Sequence, residues 1–121
     1  MSEIPKQIKS GGEFITIIEE PLEKAFGYYK HEQNIIKLDS GQPLKRKIKT
    51  LIHELLHHID LTNGLNISHR AIYTLTDRLL ALLYDNPELL KLLDIYCNTT
   101  YNYYDMRFKI VEALENVTGK R

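Results

Sequence analysis

Residues 53–57 read His-Glu-Leu-Leu-His, a spacing that ties helix, chemistry and fold together. In an α-helix, residues four apart lie roughly 40° apart around the axis and about one turn up. His53 and His57 can therefore point at one ion, as in the H-E-x-x-H pattern whose two imidazoles hold zinc. Glu54, roughly 100° round from His53, flanks that ion without binding it. A glutamate so placed can act as a general base towards a water that the metal has acidified.

Five letters with two free positions recur by chance, so the flanking sequence decides. Across 44–61 the apolar residues Leu44, Ile48, Leu51, Ile52, Leu55, Leu56 and Ile59 share one broad face at helical period. His53, Glu54 and His57 sit opposite them. The pattern predicts a helix that packs through the apolar stripe and presents the two histidines to a cleft.

At 121 residues the chain reads as a single domain, 1–121, with one modest core. Lys plus Arg and Asp plus Glu both number 16, which excludes the charge excess of a dedicated nucleic-acid or membrane-surface binder. The one dense basic stretch, Lys45-Arg46-Lys47 with Lys49, reads as a solvated helical turn. Cys97 is the only cysteine. It excludes an internal disulfide and a cysteine-rich zinc cage, and is expected as a small core residue. With no signal-like or membrane-spanning apolar run, the expected location is cytoplasmic.

The fold class expected is α+β, a small N-terminal antiparallel sheet followed by a helical bundle that carries the His-Glu helix. Residues 1–12 read as a flexible lead-in, 13–42 as the sheet and 43–121 as the helical part. Phe14-Ile15-Thr16-Ile17-Ile18 is β-branched and short, which favours a strand. Phe26-Gly27-Tyr28-Tyr29-Lys30 and Ile35-Ile36-Lys37-Leu38 flank the turn His31-Glu32-Gln33-Asn34 as a hairpin. Pro43 starts the His-Glu helix and Asn63-Gly64 ends it. Ser68 caps a second helix with Ile72, Leu75, Leu79 and Leu83 as its buried face, ending near Pro87. A third runs from Pro87 to about Tyr96, and a fourth over 103–117 carries Met106, Ile110, Leu114 and Val117.

A catalytic zinc takes three protein ligands and keeps a position for water. The metzincin extension would place Gly seven and His ten residues after the first His, where this chain has Asp60 and Asn63. The third ligand must lie beyond Gly64. His69, in the first turn of the second helix, is the first candidate, and Asp77, two turns on, is the alternative. Asp60 is placed to accept an N–H from a ligand histidine and fix its tautomer. His58 and His31 are expected at the surface. Tyr73, one turn beyond His69, is either an oxyanion donor or a packing tyrosine.

A short sheet, then TLIHELLHHID, then a reversal and a helix ending LLALLYDNP, resembles the minimal zincin domains of the ImmA/IrrE-like metallopeptidase family, including small phage-encoded members. The resemblance covers residues 14–87. It implies a gluzincin-like peptidase with Zn²⁺ on His53 and His57, Glu54 as general base, and a protein or peptide substrate such as a repressor. In that family a glutamate near the start of the next helix commonly completes the site. Alignment through Leu75, Leu79 and Leu80 places His69 there, so this chain carries histidine where glutamate is usual. The reading from another functional class is a non-catalytic binding protein on the same scaffold, with the metal serving structure alone.

Overall fold

The computed structural model describes residues 3–98. It is an α+β fold in the order β1 (Gln7–Ser10), β2 (Glu13–Glu20), β3 (Gly27–Lys30), β4 (Ile35–Asp39), α1 (Leu44–Asn63), α2 (His69–Asp85) and α3 (Pro87–Asn98). The chain's contacts divide it into two compact units, Met1–Leu82 and Leu83–Arg121. The anticipated helix over 103–117 lies outside the described residues. Among those described, no helix is long and apolar enough to cross a membrane.

Strand alternation sets the core. Ile15 and Ile17 of β2, and Ile36 and Leu38 of β4, point to one face, where Leu51 of α1 and Ile4, ahead of β1, join them; Ile8, Tyr29 and Leu55 pack around the cluster. Glu19, on the same face, holds Lys47 of α1 through an ion pair of 2.8 Å and fixes one end of the helix to the sheet.

The sheet runs β1-β2-β4-β3, and β2 pairs with β4 in parallel. The expectation of a purely antiparallel sheet is therefore corrected to a mixed one. The β3–β4 hairpin forms as read, but its more apolar strand, with Ile36 and Leu38 fully buried, takes the central place beside β2. The half-buried β3 is left at the edge. The lead-in is not all free either: Gln7–Ser10 pairs antiparallel with β2, and Ile4 is part of the core.

At the sheet–helix junction, Gly27 has no room for a side chain. A Cβ there would lie 2.6 Å from Thr50 Cγ2 and 2.7 Å from the Lys37 carbonyl oxygen. Glycine lets the start of β3 approach α1 at the level of the His-Glu motif. Gln42 fastens the same corner, donating from Nε2 to the Phe26 carbonyl at 2.9 Å and accepting from Thr50 Oγ1 at 3.3 Å.

The face of α1 laid on the sheet is a mixed stripe of Leu51, Glu54, Leu55 and His58, not the all-apolar one. Ile48 and Ile59 each remain 43% exposed, while Glu54 is only 7% exposed. Likewise α2 buries Ile72 and Thr76, leaving Leu75 and Leu79 at the surface. Hydrophobic period located both helices but assigned the packed face incorrectly in part, because polar side chains with good partners take the buried positions. Cys97 is exposed on α3, not in a core.

Candidate metal centre

Each end of the loop between α1 and α2 is held by identifiable bonds. Gly64 is left-handed at φ 59°, and its N–H donates to the Asp60 carbonyl, as does that of Leu65 at 3.1 Å. Asp60 Oδ1 accepts the Ile67 N–H at 2.9 Å. Ser68 then caps α2, its Oγ accepting the Ala71 N–H at 3.1 Å. The reversal delivers His69, the first residue of α2, back to the α1 histidines.

The Nε2 atoms of His53 and His57 lie 3.1 Å apart, a separation that one ion with Zn–N distances of about 2.0–2.1 Å can span. The His69 ring stacks on His57 with centroids 5.0 Å apart and lies 5.4 Å from that of His53. One ligand atom from each of the three histidines falls within 4.8 Å of the others, so the group can hold a metal ion. Asp77 is not part of it: its Oδ1 pairs with Lys49 Nζ at 2.8 Å, linking α2 to α1 at the surface.

Burial, and after it the neighbouring His57 and His69, lowers His53 to about 4. Burial also lowers His57, with His69 adding to the effect and Asp60 opposing it. Both are therefore held as neutral imidazole, the form that ligates metal. Glu54, 7% exposed next to His53 in the lining of the same cleft, is raised to about 7 by desolvation. A carboxyl so poised can carry a proton in either direction near neutrality.

Thr76 supplies an orienting contact that the sequence reading missed. Its hydroxyl donates to the Ile72 carbonyl at 2.8 Å and lies 3.4 Å from His53 Nδ1. With its one proton so used, Thr76 Oγ1 can only accept from Nδ1–H, leaving the Nε2 lone pair of His53 for the metal. Spacing could have indicated it, since Thr76 is seven residues beyond His69 on the same stripe of α2. Asp60, expected in this orienting role, is buried close enough to favour the charged form of His57, but its carboxylate bonds the loop backbone.

His58 was expected at the surface and is instead 2% exposed. The Tyr29 hydroxyl donates to Asn34 Oδ1 at 3.1 Å and so accepts from His58 Nδ1–H at 2.9 Å; Ser10 Oγ donates to His58 Nε2 at 3.0 Å. The ring thus joins α1 to both edge strands. His31 is an exposed turn residue, as anticipated, within 3.1 Å of the Tyr29 hydroxyl.

His53 and His69 open onto a cleft of about 420 Å³ whose walls come from residues 24–27 leading into β3, the first half of α1 and the first half of α2. Tyr73 stands in it, 54% exposed, its ring centroid 4.5 Å from that of His53 and 4.8 Å from that of His69. Two of the three convergent imidazoles, the buried Glu54 carboxyl and the Tyr73 phenol thus meet in one cleft, with His57 beside them. No protein-family model matches the chain, and neither a curated protein nor a solved structure matches it.

Proposed function

We propose that the chain is a zinc-dependent metallopeptidase of the minimal zincin type, akin to the ImmA/IrrE-like family, hydrolysing a peptide bond in a protein substrate. The observation that carries this reading is the convergence of His53, His57 and His69 beside the buried Glu54 carboxyl in an accessible cleft. A borderline-soft ion such as zinc suits an all-imidazole donor set. When bound it supplies Lewis acidity to water and to the scissile carbonyl.

The chain's own residues do the rest. Glu54 takes the proton of the attacking water and returns it to the leaving amine. Thr76 keeps His53 in the tautomer that can ligate. Tyr73 is the donor available to the developing oxyanion. The edge strand β3, which among the described residues pairs with β4 alone, offers its other side to an extended peptide.

The test is a Glu54→Gln variant. An amide cannot accept the proton, so this variant keeps zinc and fold and loses hydrolysis of a random decapeptide mixture by at least about a hundredfold. Equal hydrolysis by the two proteins contradicts the assignment. Zinc retention with no hydrolysis by the wild type favours the non-catalytic scaffold reading.

A further inference from the structure

The cleft wall opposite α2 is cationic. Lys24, Arg46 and Lys49 line it, and Glu54 is the only carboxylate among its lining residues. Lys49 is already paired with Asp77. Neither Lys24 nor Arg46 has a carboxylate partner among the described residues. Arg46 is also the best positioned of the three: its guanidinium lies over the Phe26 ring, 4.5 Å from the centroid. The backbone of Phe26 is anchored, since its carbonyl accepts the Asp39 N–H at 2.8 Å and Gln42 Nε2 at 2.9 Å. A guanidinium held over a ring by its charge, with no carboxylate partner, still has N–H donors to offer an incoming carboxylate.

Resting on the peptidase reading of the site, we propose that this wall selects acidic peptides, Arg46 binding an aspartate or glutamate near the scissile bond with Lys24 reinforcing the field. Arg46 precedes His53 by seven residues, about 10 Å along the helix. An extended peptide advances about 3.3 Å per residue, so one running along the helix would carry the acidic side chain about three residues from the bond cut. The residues concerned are exposed, so they can be exchanged without disturbing the core. The basic run at 45–49, which read from sequence as a solvated turn, thereby contributes a specificity contact through Arg46.

Zinc-loaded wild type, Arg46→Gln and Arg46→Glu would be exposed to a random decapeptide mixture. Bound peptides and cleavage positions would be read separately by mass spectrometry, and circular dichroism would confirm folding. The expected result is an enrichment of about tenfold for Asp or Glu at one position. It falls towards unity in Arg46→Gln, reverses to favour Lys in Arg46→Glu, and weakens in high salt. Lys24→Glu gives a smaller loss in the same direction. Cleavage or binding without acidic enrichment, enrichment unchanged in Arg46→Glu, or no peptide bound at all overturns the proposal. Arg46-dependent binding of acidic peptides with no cleavage supports the cationic subsite and contradicts the peptidase reading, so the two failures are distinct.

Discussion

His57 and His58 are adjacent in one helix and work in opposite ways. His57 belongs to the histidine cluster, its Nε2 3.1 Å from that of His53 and its ring stacked on His69. His58 is turned about 100° further round and is held from both ring nitrogens by Ser10 and Tyr29. One side of α1 keeps imidazole lone pairs available; the other uses an imidazole fully as a tie between helix and sheet. Burial lowers both pKa values, so titration alone would not separate them. The partners do, and substitutions on the two sides should have different consequences.

The largest effect belongs to the cleft side. His53→Ala combined with His57→Ala should reduce zinc from about one ion per chain to none while the fold survives. His69→Ala should weaken binding by more than the roughly 100-fold that loss of an outer-shell partner costs, whereas Asp77→Ala should leave it nearly unchanged. Elemental analysis and zinc titration read both. On the sheet side the ranking inverts: His58→Ala should cost about 3 kcal/mol, because two hydrogen bonds and a buried ring are lost together. Denaturant unfolding measures that loss, and zinc content should stay at the wild-type level.

Glu54 sits between the two sides and sharpens the comparison through pH. Its carboxyl is raised from an ordinary 4.5 to about 7 in the folded protein, so between these values the native state binds the extra proton. The stability linked to it is complete below about pH 4.5 and lost as pH rises through 7. Metal-free Glu54→Gln should therefore be more stable than wild type by about 2 kcal/mol at pH 8. The difference should vanish below about pH 4.5, as denaturation curves at the two pH values would record. The smallest expected change is Thr76→Val, which removes the acceptor on His53 Nδ1 at constant shape. It should weaken zinc binding by about tenfold, and a titration showing no change would remove Thr76 from the site.

What could be read in advance follows from which interactions are local. The i, i+4 spacing of His53 and His57 is a property of the helix itself, and their Nε2 atoms meet as that spacing requires. Gly64 and Ser68 act within a few residues of themselves, so the reversal that returns His69 was also legible. The hairpin was legible for the same reason, but not which of its strands would dock on β2. That choice depends on the burial of Ile36 and Leu38 against residues far away in sequence. Polar β1, the buried His58 and Thr76 escaped notice because each owes its place to a distant partner: β2, Ser10 with Tyr29, and His53. The apolar stripe misled in part, since Ile48 and Ile59 stay at the surface while Glu54 and His58 go inside.

The central claim is that His53, His57 and His69 form one catalytic zinc site. It is tested most directly by anomalous diffraction at the zinc edge on crystals of the zinc-loaded protein. The account predicts one zinc per chain held by those three imidazoles, with a further position open to water and Glu54 beside it. A zinc held by Asp77 in place of His69, a fourth protein ligand closing the site, or no zinc at these histidines would contradict it.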